Sequence, residues 1–293
     1  MEESETKKVV SLRVDVDTIH DLTKGVPILL ELFEKYAIRV TFFVTMGPDT
    51  SGKNFWRLWN KLTQFLRINP LKKYGVKNLL YGILLPSPKI GEAHPTLLKN
   101  ITERGHEVGI HDYDHYLWAN HLEEMTLEEI ETLFSRSYDA YKRIFGTPPK
   151  GSAAPSFKWT LKSLRIQDDF KLLYASDMQD KKPFIPVINN VPLKTLQVPI
   201  NMPLIEDLVL RRKSDIEILK VLKKILLNNL KEYNFSAMYI HPSYEGIHKM
   251  HVLSKFLQFI KSQNIEISRL CEVAKSLKNI KASNENVFNF KAL

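Results

Sequence analysis

The sequence predicts an α/β protein whose parallel strands and intervening helices surround a barrel mouth, and three observations predict it. Lys7 to Asp17, Lys24 to Tyr36 and Arg39 to Thr45 read in turn as buried strand, amphipathic helix and buried strand, an order that implies a parallel crossover. Four predicted strands end in acids or imidazoles: Asp15 and Asp17, His111 with His115, Asp177, and His241. β/α barrels gather their chemistry at C-terminal strand ends, and four such endings together are hard to assign to packing. Finally, 293 residues, 44% of them hydrophobic and 26% charged, suffice for a substantial core.

In the first strand Val9, Val10, Leu12, Val14 and Val16 supply the apolar positions, and the strand closes on Asp15-Val16-Asp17-Thr18. Residues i and i+2 of a strand share a face, so the two carboxylates repel unless a cation or proton lies between them; a solvated, capping strand end is the other reading. The helix opens near Pro27 and buries Ile28, Leu29, Leu32 and Phe33. Glu103 to Trp118 organises the chain. His106 to Ile110 reads as a strand, and His111 follows at its end. If a helix begins there, His111 and His115 lie one turn apart and both rings reach one metal ion; otherwise they pack or cap.

Downstream, Thr126 is the predicted N-cap of a helix running to Phe145. Lys150 to Trp159 reads as a small-residue loop close to a ligand, and a helix restarts at Leu161 to Leu164. Strands are predicted at Leu172 to Ala175, around Leu196 to Pro199, at Ser236 to Ile240 and at Ile265 to Ile267. Helices are predicted at Ile216 to Tyr233, Leu253 to Lys261 and Leu270 to Leu277. No repeat or linker divides the chain, so residues 1–293 are expected to form one domain carrying an insertion at about residues 47–98.

That insertion is unusual in charge. From Thr50 to Gly91 there is no Asp or Glu, while Lys53, Arg57, Lys61, Arg67, Lys72, Lys73, Lys77 and Lys89 alternate with aromatic and aliphatic residues such as Phe55, Trp56, Trp59 and Phe65. The pattern suits an anionic membrane surface; a packed helical insertion with a solvated basic face is the plainer alternative. The net charge of +9 points to an anionic partner. The single cysteine, Cys271, excludes an internal disulfide and suits a reducing compartment. The first residues lack a signal-peptide pattern, and no apolar run is long enough to span a bilayer.

Seven stretches carry a family resemblance: LRVDVDT, KGVPILLELF, GPD followed by WRLW, HEVGIHDYDHYLW, GSAAPSFKW, ASDMQD and YIHPSYEG. They resemble the NodB-homology polysaccharide deacetylases, and more narrowly the branch that deformylates undecaprenyl-phosphate-linked 4-formamido-arabinose. The resemblance implies a distorted (β/α) barrel with a basic amphipathic helical insertion. It implies that Asp17, His111 and His115 bind one divalent ion, Zn²⁺ by preference over the alternatives Mn²⁺, Co²⁺, Ni²⁺ and Fe²⁺, that Asp15 is the general base and His241 the general acid, and that Asp177 is a polar partner near the pocket. Ala153 stands where the wider family has a base-orienting arginine, which leaves Lys158 as the candidate substitute. Val16 separates aspartates that are often adjacent in the family.

The implied function is a metal-dependent amidase that removes an N-formyl or N-acetyl group from an undecaprenyl-phosphate-linked amino sugar for lipid A modification. It is expected at the cytoplasmic face of the inner membrane, with no nucleic-acid partner. Two other classes compete: an Fe(II) oxygenase with a two-histidine, one-carboxylate site, and a non-catalytic lipid-binding relative of the same fold.

Overall fold

The computed structural model of the protein describes residues 8–58, 75–277 and 287–290. Strand β1 (Val9–Val16) is buried on both faces, one apolar and one polar, and pairs with three other strands. Val10, Leu12, Val14 and Val16 pack outward against helix α1 (Val26–Lys35) and its Leu29 and Phe33. Ser11, Arg13 and Asp15 occupy the opposite face and are equally buried. One edge of β1 pairs with β9 (Phe235–Ile240) from Val9 to Val14. The other pairs first with β10 (Glu266–Ile267) and then with β2 (Thr41–Val44).

From β2 the sheet continues through β3 (Glu107–Ile110), β4 (Gly151–Ser152), β5 (Tyr174–Ala175) and β8 (Leu196–Gln197), every pairing parallel. The eight-stranded sheet runs in the order β10-β1-β2-β3-β4-β5-β8, with β9 on β1, and curls into an open half-barrel surrounded by helices. Phe43, Tyr174, Ala237, Leu270 and Cys271 fill its floor. Gly109 is required on β3 because a Cβ there would sit 2.6 Å from Phe43 Cε1 and 2.7 Å from the Gly151 carbonyl oxygen.

The expected strands and helices form with shifts of a few residues at their ends. Two features differ from expectation. β4 lies within the stretch that reads as a loop, because a two-residue pairing leaves no periodic signal. The proline-rich stretch from Pro183 to Pro203 contains β6 (Ile185–Ile188) and β7 (Val191–Pro192), which join β11 (Val287–Phe290) in a second, three-stranded sheet.

The insertion begins with helix α2 (Ser51–Leu58). The buried Asp49 carboxylate ties it to the barrel, accepting from Ile19 N at 2.8 Å, Ser51 N at 3.0 Å, Ser51 Oγ at 2.6 Å and Asn78 Nδ2 at 3.1 Å. Val76, Ile83 and Leu84 stand exposed on the same insertion. The predicted amphipathic stretch beyond Leu58, with Trp59, Lys61, Lys72 and Lys73, lies outside the described residues. Among the described residues no helix is long and apolar enough to cross a membrane.

Candidate active site

A cavity of about 500 Å³ opens at the C-terminal ends of the strands, lined by Asp15, Asp17, His111, His115 and His241, with Thr50, Ser51, Asn120 and Lys158 on its rim. Asp15 faces it from the end of β1, and Asp17 lies just past that end. His111 follows β3, and His241 follows β9. His115 opens helix α3 (His115–His121), which Asp114 caps by accepting from Leu117 N at 3.0 Å. The two histidines therefore do not share a helical face. Asp112, between them, takes a left-handed conformation with φ 58° and turns the chain so that the rings meet, their centroids 5.5 Å apart.

The chemistry of the donors points to a cation. His111 Nδ1 lies 2.8 Å from the Ala153 carbonyl, which can only accept, so the ring holds its proton there and presents a bare Nε2. That Nε2 is 3.3 Å from Asp17 Oδ1, a buried oxygen with no hydrogen-bond donor. Two acceptors face each other, which is unfavourable without a positive charge between them. His115 Nε2 lies 3.6 Å from Asp17 Oδ2, and one donor atom from each of Asp17, His111 and His115 falls within 4.8 Å of the others. Two imidazoles and one carboxylate fit a divalent ion and leave positions open for other ligands.

His241 Nε2 is 3.6 Å from Asp17 Oδ2, and its Nδ1 is 3.6 Å from Glu206 Oε2. Glu245, fully buried, accepts from His241 N at 2.9 Å and Glu206 N at 3.0 Å, pinning the turn after β9 to helix α4 (Ile205–Leu210). Burial pushes the Glu245 carboxyl up to about 7, against the lowering effect of His241. Glu206 was not legible beside His241 in the sequence, because its helix lies far from His241 along the chain.

Two expectations about the site change. Asp177 is completely buried and does not line the cavity; its Oδ2 accepts from Gln197 Nε2 at 3.2 Å. It lies two residues past the end of β5, where the chain has turned its side chain toward β8. Lys158 does not orient Asp15: its Nζ pairs with Glu123 Oε1 at 3.1 Å. The cation on Asp15 is Arg13, with Nε to Oδ1 at 2.6 Å and Nη2 to Oδ2 at 2.7 Å. The alternation of β1 was the signal for it: Ser11, Arg13, Asp15 and Asp17 share one parity, and Val10, Leu12, Val14 and Val16 the other.

The parallel half-barrel and the acid–imidazole cavity at its mouth define a β/α-barrel protein with a candidate metal site. The chain belongs to the polysaccharide deacetylase family, whose sequence profile matches residues 2–175. It is 31% identical over 90% of its length, and 85% of the relative's, to the protein named probable 4-deoxy-4-formamido-L-arabinose-phosphoundecaprenol deformylase ArnD of Shewanella sediminis (strain HAW-EB3). The protein of the same name in Wigglesworthia glossinidia brevipalpis is 30% identical over 87% of this chain and 90% of its own. The crystal structure of a protein described as a putative polysaccharide deacetylase from Mycobacterium smegmatis superposes with a TM-score of 0.68 at 15% identity, covering 97% of this chain and 94% of its own. This protein is accordingly a hydrolase that cleaves C–N bonds outside peptides, a carbohydrate deformylase or deacetylase.

Proposed function

We propose that this protein removes an N-formyl or N-acetyl group from a polyprenyl-phosphate-linked amino sugar, in a modification of lipid A, with a divalent ion, Zn²⁺ by preference, held by Asp17, His111 and His115. The observation that carries the metal assignment is the bare His111 Nε2 turned on the donor-less Asp17 Oδ1. An ion held by these residues would supply Lewis acidity, lowering the pKa of a water and polarising the amide carbonyl. Asp15 Oδ2, 3.9 Å from His111 Nε2, faces the same space and accepts the water's proton. His241, on the other side of Asp17, donates a proton to the nitrogen as the C–N bond breaks, with the Glu206 carboxylate 3.6 Å from its Nδ1 and Glu245 holding its backbone. Water is consumed, and formate or acetate leaves with the free amine.

The insertion supports a lipid-linked substrate. A cavity of about 500 Å³ accommodates a sugar phosphate but not a polyprenyl chain, which must lie outside it. Thr50 and Ser51 line that cavity where the insertion begins, and the acid-free stretch from Thr50 to Gly91 supplies basic and apolar residues for an anionic bilayer. We place the protein at the cytoplasmic face of the inner membrane as a single catalytic domain whose insertion, about residues 47–98, meets the lipid.

The test is mass spectrometry of lipid-linked sugars and lipid A in a deletion strain, paired with formate and acetate release by the purified protein. Accumulation of an acylated polyprenyl-linked sugar supports the reading, and unchanged lipid profiles with no acid released overturn it. Wild-type protein should also cosediment with anionic liposomes, less so at high salt. Glutamate at Arg57, Lys61, Lys72 and Lys73 should release it and impair turnover of the polyprenyl-linked substrate more than that of a water-soluble acylated sugar. Equal loss on both substrates would assign the insertion to packing.

A further inference from the structure

Arg13 is 1% exposed in the middle of a strand, inside the barrel, yet it reaches the floor of the cavity. Its guanidinium carbon lies 5.0 Å from the Phe157 ring centroid, 5.3 Å from that of Phe43 and 5.9 Å from that of Tyr239. Phe157 reaches it from a loop in which Ser156 and Phe157 both have φ 54°. Nη1 donates to the Ser176 carbonyl, while Nε and Nη2 form a two-pronged fork on Asp15. A buried ion pair contributes little net stability, because desolvation of both charges offsets their attraction. The pair instead fixes geometry: the planar fork binds both oxygens of Asp15 and sets the plane of its carboxylate. Asp17, two residues on, has no such partner, and its Oδ1 has no donor.

We infer that Arg13 is a positioning residue that gives the two aspartates different tasks. The fork occupies one lone pair on each Asp15 oxygen and keeps that carboxylate out of the metal's ligand set as a proton acceptor, while Asp17 is left to the ion. The inference rests on the amide-hydrolysis reading above. Without the fork, Asp15 swings free and becomes an additional ligand, so metal affinity rises while turnover falls. A residue that only stabilised the barrel would not produce that opposite movement.

The experiment compares Arg13→Met, Arg13→Lys, Asp15→Asn and Arg13→Met/Asp15→Asn, each checked for folding by thermal melting. Co²⁺ is titrated against a competing chelator, and its visible spectrum reports the coordination number. kcat and KM are measured for formate release from 4-formamido-arabinose-phosphoundecaprenol in detergent. Arg13→Met should bind Co²⁺ more tightly with a higher-coordinate spectrum, and adding Asp15→Asn should abolish both changes. Its kcat should fall by about 10²-fold, as in Asp15→Asn, with KM nearly unchanged. The double variant should be no slower than Asp15→Asn alone. Arg13→Lys, which keeps the charge without the fork, should follow Arg13→Met, and it carries the test if Arg13→Met does not fold. Unchanged Co²⁺ affinity in the Arg13 variants, or wild-type kcat in Arg13→Lys, would overturn the inference while leaving amide hydrolysis intact. Full activity in Asp15→Asn would remove the base assignment and this inference with it.

Discussion

The two ends of β3 each carry a buried histidine, and the contrast between them separates structure from chemistry. At the floor, His106 packs against Phe33 and Phe42, and its Nδ1 accepts from Val40 N at 3.2 Å. Burial lowers its pKa to about 4. Glu107 beside it receives Thr41 Oγ1 at 2.7 Å and Cys271 N at 3.1 Å on one oxygen. At the mouth, His111 spends its Nδ1 proton on the Ala153 carbonyl and turns an unprotonated Nε2 on an anionic carboxylate. Burial is nearly equal, 5% exposed for His106 and 1% for His111. The difference lies in which lone pairs the protein itself satisfies. A floor acceptor that has its donor is architecture, whereas a mouth acceptor facing another acceptor calls for a ligand.

The most severe break of this contrast is His111→Ala. It should lose the metal, seen as loss of stoichiometric Zn²⁺ by elemental analysis, and reduce acid release to background; His115→Ala should do the same. Full metal occupancy in both variants would cancel the distinction between mouth and floor. Next comes proton transfer. Asp15→Asn and His241→Ala should each retain metal and lower kcat by on the order of 10²-fold or more. If Asp15→Asn emptied the site, Asp15 would be a ligand.

The floor should respond in stability and not in turnover. His106→Ala removes the acceptor for Val40 N, and denaturant melts should show a loss of about 1–3 kcal/mol with kcat preserved. The pH dependence sharpens this. His106 is neutral when folded down to about pH 4 but gains a proton near pH 6.5 when unfolded. The unfolded state thus binds more protons between those values, and the group withdraws stability as pH falls from about 6.5 to 4. Melts across that window should be flatter for His106→Gln than for wild type; parallel curves would show that His106 does not titrate there. The smallest effect is expected for Asp177→Asn, which should cost about 1 kcal/mol of stability through its Gln197 contact. A collapse of kcat in that variant would return Asp177 to the active site.

The sequence by itself determined the parallel β/α order, because buried strands and amphipathic helices write different periods into the chain. It also determined which polar residues end the strands: Asp15, Asp17, His111 and His241 were all legible as acids and imidazoles following apolar runs. Two things were decided only by the tertiary structure. The first is how His111 and His115 meet. Spacing suggested a shared helical face, but the left-handed turn at Asp112 brings them together, and single backbone conformations of non-glycine residues leave no periodic trace. The second is which partner each polar group acquires. Asp177 and Asp15 look alike as strand-end carboxylates, yet one faces Gln197 on β8 and the other Arg13 in the barrel. Glu206 comes to His241 from another helix. Such pairings depend on the sheet's curl and on packing between distant segments, which local patterns of hydrophobicity do not encode.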